Sequence, residues 1–180
     1  MPPTGWHIGR PLETTTRLEK EVRVYDLLDK LEIWYQRVDH EALATMDACQ
    51  EVDQLLQVHM CKNLFLCNEQ KTKFYLLLMP GEKKFKTKDL SKQIDSARLS
   101  FGSYGDMEKY LDITPGSVSV MGLMNDKDNQ VQLLLDEDIM NEEYLACHPC
   151  LNTSSIKIKM VDVMNIFLPA IGHAPIVVKL

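Results

Sequence analysis

The sequence has no apolar run approaching the roughly 20 residues that a membrane-spanning helix requires, which excludes a helical span. Its first residues, Met1-Pro2-Pro3-Thr4-Gly5, lack the charged start and apolar middle of a signal peptide, so a cytoplasmic location is expected. Disulfide scaffolding is equally poorly served. The five cysteines, Cys49, Cys61, Cys67, Cys147 and Cys150, are an odd set in a chain without an export signal, and reduced thiols are the expectation. Positive charge is not in surplus either: 20 Lys and Arg stand against 26 Asp and Glu, a net charge of -6. That balance excludes a protein whose whole surface attracts a phosphate backbone. Internal repeats and low-complexity segments are absent.

What is present is enough apolar material for one core. With 180 residues, 45% of them hydrophobic, the chain is read as a single domain over 1–180. Residues 1–13, with three prolines and little periodicity, are expected to be a loosely attached N-terminal segment. Charge is unevenly placed. Lys71, Lys73, Lys83, Lys84, Lys86, Lys88, Lys92 and Arg98 crowd a segment whose acids are Glu82, Asp89 and Asp95. The stretch from Asp106 to Glu143 is instead dominated by Asp and Glu, with Lys109 and Lys127 as its lysines. Such polarity suits either a basic face for a nucleic-acid end or ordinary solvated loops and helix faces.

Leu18, Val22, Tyr25, Leu28 and Leu31 recur at helical spacing, predicting an amphipathic helix over 14–31 opened by a cap at Thr14. A strand is expected over 33–38, and a helix over 46–56 with Asp47 as cap. Asn63 to Leu66 and Lys73 to Met79 flank the polar Asn68-Glu69-Gln70-Lys71, the pattern of a hairpin, which Pro80-Gly81 ends. Helices are expected over 87–94, 105–111 and 161–167, and strands over 99–102, 118–124, 131–136, 144–147, 153–158 and 176–180. Strands outnumber helices, and hairpins mix with crossovers. The fold class is therefore α+β, a mixed, strongly curved β-sheet with surrounding helices.

Three stretches set polar groups against apolar runs, as the lining of a pocket does: Cys61-Lys62-Asn63-Leu64-Phe65-Leu66, Thr114-Pro115-Gly116-Ser117-Val118-Ser119-Val120 and Cys147-His148-Pro149-Cys150-Leu151-Asn152-Thr153. Lys62 is a lone cation at the start of an apolar strand, and Asn63 should face the opposite side of that strand. Gly116 lets backbone approach a ligand closely. His148, Asn152 and Thr153 offer hydrogen bonds around a bend stiffened by Pro149.

In order and content these stretches resemble the prolyl-tRNA synthetase associated editing-domain family, the YbaK/ProX type of free-standing aminoacyl-tRNA deacylase. The similarity runs over about residues 14 to 180. The Lys-Asn-Leu-Phe-Leu, Pro-Gly-Ser-Val-Ser and His-Pro-x-x-Asn-Thr segments carry it, and His-Pro-x-x-Asn-Thr is the most specific. The chain departs from the pattern at Val120, where many members carry proline. The resemblance implies a barrel-like curved sheet and hydrolysis of the ester between an amino acid and the terminal ribose of a tRNA. No cofactor or metal is implied, nor a covalent nucleophile, because water activation leans on the substrate's own ribose hydroxyl. It implies catalytic roles for Lys62 (phosphate or developing charge), Gly116 (backbone donor, with Ser117) and His148. Asn63, Thr114, Pro115, Ser117, Pro149, Asn152 and Thr153 are implied as substrate-binding residues. Aminoacylated tRNA, through its acceptor end, is the implied partner, with prolyl-tRNA synthetase as a second. Mischarged prolyl tRNA carrying alanine is the implied substrate; cysteine or another small amino acid is the alternative.

Two readings of other classes stay open. A binding module would keep the pocket without hydrolysis. Cys147-His148-Pro149-Cys150 also has the spacing of a redox pair or half a zinc site, although a β-like run follows it where a redox thiol needs a helix, and a second close cysteine pair is missing.

Overall fold

The computed structural model describes residues 5–42 and 46–180, with side chains from residue 48 onward in the second stretch. Its first sheet is antiparallel, in the order β1 (Trp6–Ile8), β2 (Tyr35–Asp39), β8 (Ser154–Lys159), β7 (Tyr144–Cys147). A second, mixed sheet runs β5 (Leu99–Phe101), β3 (Lys62–Asn68), β4 (Phe74–Met79), β6 (Val131–Asp136), β9 (Ile176–Val178). Within it β3 and β4 form the expected antiparallel hairpin, while β6 runs parallel to both β4 and β9. One parallel bridge, Met60 to Ala146, links the two sheets. The curved sheet thus divides in two, and no closed barrel forms among the described residues.

β4 explains why one strand can read Phe-Tyr-Leu-Leu-Leu-Met: both of its faces are covered. Leu76 and Leu78 join the main core, with inward residues of the first sheet such as Tyr35, Leu145 and Ile156, whereas Tyr75, Leu77 and Met79 join a second cluster. Helix α3 (Thr87–Gln93) supplies Leu90 to that second cluster. Helix α2 (Met46–Leu56) packs Val52 and Leu56 against Val38 and Ala146 on the outer face of the first sheet. The molecule is therefore layered, with a helix outside each sheet and the main core between them. The Asp47 cap lies outside the described residues. No helix among the described residues is long and apolar enough to cross a membrane.

Several expectations are corrected. Helix α1 spans Glu19–Lys30 and begins after Thr14, because Thr14 and Arg17 close a turn (3.0 Å) and Leu18 is the N-terminal flanking residue. Residues expected as a strand over 118–124 instead form a 3₁₀ helix, Val120–Asn125, after helix α4 (Tyr104–Leu111). Ser119 accepts from the Met121 amide (3.1 Å), and Gly122 packs so closely on Ile113 that a Cβ there would lie 2.4 Å from its Cδ1. An unforeseen turn of helix, α5 (Glu137–Met140), follows β6 under an Asp136 cap. The late helix is longer than its expected 161–167: α6 (Met160–Asp162), a π-helical Val163–Phe167 and α7 (Leu168–Ile171) run on from one another. Trp6–Ile8, within the segment expected to be loosely attached, pairs with β2 as an edge strand.

Candidate active site

The first stretch enters β3 from the end of α2. Alternation sends Lys62, Leu64 and Leu66 to the outer face beneath α3, and Asn63, Phe65 and Cys67 to the inner face. Lys62 Nζ donates to the Lys83 carbonyl (2.5 Å), which uses one of its three N–H groups. Asn63 Nδ2 donates to the Cys61 carbonyl (3.1 Å). A carbonyl only accepts, so the amide cannot be reversed, and Asn63 Oδ1 is left as the one buried side-chain N or O among the described residues without a partner.

The second stretch is a tight turn. Pro115 and Gly116 occupy its centre, Gly116 has φ +87°, and the Ser117 amide donates to the Thr114 carbonyl (3.1 Å), the pattern of a type II turn. Thr114, Pro115 and Gly116 are exposed; Ser117 is buried. Because the Ser117 N–H closes the turn, the backbone donor this turn can offer a substrate is that of Gly116. Val120, in place of the family's usual proline, is fully buried at the start of the 3₁₀ helix.

The third stretch leaves β7 at Cys147 and turns through buried His148 and Pro149 and a left-handed Cys150 (φ +66°) into β8. His148 Nδ1 lies 2.9 Å from the Ser154 carbonyl. Since that oxygen only accepts, Nδ1 carries the proton and Nε2 is the acceptor. Burial lowers the His148 pKa, and nearby His40, its ring centroid 6.2 Å away, acts in the same direction against the Ser154 bond. The imidazole is therefore neutral near pH 7.

These backbones meet where the sheets join. Met60, just before the first stretch, bridges Ala146, just before the third. Cys61 of the first stretch and Ser119 of the second lie close enough to Cys147 to bear on its thiol. A Cβ on Gly116 would stand 3.4 Å from Asn152 Nδ2, so the second and third stretches adjoin directly. Asn152 is half-buried and Thr153 exposed.

The expected convergence of cation, bend and imidazole holds for the backbone more than for the side chains. Lys62 leaves the junction on the outer face of the five-stranded sheet, while His148 lies against Ser155 and His40 on the α2 side of the other sheet. Of the predicted site residues, Gly116 and Asn152 adjoin, and Asn63 turns inward beside Cys61. Beside it opens a cleft of about 570 Å³ with Met60 and Cys61 in one wall and Tyr144 and Leu145 in another. Glu82, Glu142 and Glu143 also line it, and that acidity disfavours a phosphate.

A supporting network escaped the sequence reading. Arg17 bonds to Glu21 (2.6 Å) and Asp39 (2.8 Å), Arg37 pairs with Asp39, and Tyr25 donates to Glu21 (2.6 Å). Ser154 donates to Asp39 (2.7 Å), while its carbonyl holds His148, so the network anchors the base of the third stretch. Burial would raise the Asp39 pKa, but the bonds from Arg17, Arg37 and Ser154 outweigh it and hold the carboxyl well below its ordinary 3.8. Its local signals are the i,i+4 spacings of Arg17 with Glu21 and of Glu21 with Tyr25, and the alternate positions of Arg37 and Asp39 on β2.

The cysteine pair is placed for packing. Burial pushes the Cys61 and Cys150 thiols up to about 12 and raises Cys147 as well, so at neutral pH all three are thiols rather than reactive thiolates. Among the described residues no group of three His, Cys, Asp or Glu is disposed to hold a metal ion.

A family model, the aminoacyl-tRNA editing domain, matches residues 40–166, and the chain belongs to that family. It is an aminoacyl-tRNA deacylase, a hydrolase of ester bonds that acts on aminoacylated tRNA. It is 30% identical over 139 residues to the prolyl-tRNA editing protein ProX of Acetoanaerobium sticklandii, covering 77% of this chain and 85% of that protein. The mouse prolyl-tRNA synthetase associated domain-containing protein 1 is 28% identical over 167 residues, covering 91% and 95%. In fold, the chain is similar to a solved structure described as a candidate trans-editing enzyme for prolyl tRNA synthetase. That match has a TM-score of 0.66 at 14% identity, over 92% of this chain and 99% of the other.

Proposed function

We propose that this chain is a free-standing trans-editing hydrolase that removes alanine from mischarged prolyl tRNA. The prolyl-tRNA names of its relatives support the tRNA assignment, and the second of them supports prolyl-tRNA synthetase as a neighbour in the cell. The observation that carries the chemistry is the pairing of Gly116 with Asn152. Among the described residues the Gly116 N–H donates to nothing within the protein, and the Asn152 amide stands beside it. Two donors on adjoining residues suit the oxygen of an ester carbonyl as it becomes negative.

Asn63 Oδ1 is then the acceptor for the substrate's α-ammonium or ribose hydroxyl, a match that removes the cost of leaving it unpaired. Attack by water on the carbonyl carbon expels the ribose oxygen, which takes up a proton and leaves a free amino acid and a deacylated tRNA. The thiols, held protonated, contribute no nucleophile. Lys62, with two N–H groups beyond its bond to Lys83, holds the terminal phosphate from the outer face. His148, bonded to the start of β8, positions the Pro149–Thr153 bend.

The test is deacylation of alanyl, cysteinyl and prolyl esters of the same tRNA, measured side by side. Alanine should leave fastest, and Lys62→Ala should remove most of that activity with the fold intact. Equal rates for the three esters, or near-normal turnover in Lys62→Ala, would overturn the reading.

A further inference from the structure

Phe101 is 65% exposed and Tyr104 is 72% exposed, two large aromatic side chains within four residues at the edge of the five-stranded sheet. Single exposed apolar residues need no explanation, but these are not single. Phe85 meets Phe101 edge-on, with ring centroids 6.3 Å apart. Phe101 pairs directly with Leu66, so it shares the outer face of the sheet with Leu66, Leu64 and Lys62. Four residues of strand separate the register of Phe101 from Lys62, or ~14 Å at the usual rise.

Several cations around this edge have no ion-pair partner among the described residues. Lys84, Lys86, Lys88 and Arg98 are exposed and form no ion pair among the described residues. Lys83 differs, since its ammonium is tied to Asp136 (3.1 Å) and Asp138 (2.7 Å). Lys84 and Lys86 flank Phe85 in sequence, and Arg98 precedes the first residue of β5. Aromatic rings interleaved with unpaired cations are the composition of a single-stranded nucleic-acid track, in which bases stack and phosphates are neutralised. A protein-binding patch would be poor in lysine at its centre, and this one is rich in it.

We infer that the surface of the Lys83–Lys86 segment, which meets Lys62 at the Lys83 carbonyl and Phe101 at Phe85, forms with Phe101 and Tyr104 a stacking platform for the unpaired nucleotides that precede the aminoacylated end of the tRNA. The assignment rests on the deacylase reading above and deepens it. The ester lies at the seam between the sheets, Lys62 holds the adjoining phosphate, and the tail runs over Lys84–Lys86, outside the chain that covers Leu64 and Leu66, toward the basic edge.

Phe101→Ala and Phe101→Trp are compared on two substrates: full-length alanyl tRNA, and an alanyl ester of adenosine that lacks the preceding nucleotides. Binding of an uncharged single-stranded RNA ending in C-C-A is followed by fluorescence anisotropy, and thermal melts monitor folding. Phe101→Ala should raise KM for the full-length substrate about tenfold, weaken the oligonucleotide equally and leave the adenosine ester unaffected; Phe101→Trp should stay near wild type. An unchanged KM in Phe101→Ala would overturn the platform. So would equal loss in both variants, or loss of binding to a prolyl-tRNA synthetase with RNA binding intact. If the oligonucleotide binds as expected while the wild-type protein hydrolyses no ester, the platform stands and the deacylase reading falls.

Discussion

The cations of this protein fall into two populations with opposite uses. Arg17 and Arg37 are enclosed with Glu21, Asp39 and Ser154 beneath the first sheet. Lys84, Lys86 and Lys88 stand exposed beside the second and form no ion pair among the described residues. A desolvated guanidinium is tolerable only with partners, and once partnered it fixes the elements that supply them, here α1, β2 and β8. An exposed ammonium fixes nothing, and its long-range field stays available to a polyanion. The same charge is structural in one place and addressable in the other.

The contrast breaks most visibly at Asp39. Asp39→Ala takes the carboxylate from buried Arg37 and leaves Arg17 with Glu21, and should destabilise the fold by about 3 kcal/mol in urea denaturation, loosening the His148 bend with it. Next is Gly116→Ala, whose φ of +87° strains any Cβ and brings it to 3.4 Å from Asn152. A loss of about 1 kcal/mol is expected, with a fall in kcat of about tenfold as the retained backbone N–H and Asn152 are displaced, checked by parallel melts and deacylation assays.

A smaller effect concerns pH. Burial is the main cause that lowers both His148 and His40 below their ordinary 6.5. The unfolded chain therefore binds protons first, so the stability tied to these histidines is complete above about pH 6.5 and is lost as the pH falls through their folded values. Asp39, also depressed, keeps its contribution until far more acid conditions. Urea midpoints measured from pH 8 to 4 should decline below 6.5, and His148→Gln should flatten that limb.

Least affected should be the stability of Lys84→Ala/Lys86→Ala/Lys88→Ala, within about 0.5 kcal/mol per site. Its signature lies elsewhere. The salt dependence of KM for tRNA should become shallower by ~0.7 for each phosphate that the protein ceases to neutralise.

The sequence was legible where a local pattern and the final burial agree. The β3–β4 hairpin, β6 and β7 follow directly from apolar runs and their punctuation. Residues 118–124 misled because an apolar run covered on all sides carries no period, and only the close packing of Gly122 on Ile113 decides for a 3₁₀ turn. At the site, alternation separates Lys62 from Asn63 but does not say which faces inward; the packing of Leu64 and Leu66 beneath α3 does. The Arg17–Asp39–Arg37 cluster joins residues far apart in the chain, so no window of sequence contains it.

The shortness of the outermost strands has a consequence for crowded solutions. β1, β5 and β9 have three residues each, and β7 has four. Each sheet therefore ends in a rim of only a few ladder positions, too brief to template the strand of another molecule. Edge-to-edge pairing between copies of this chain is thereby disfavoured.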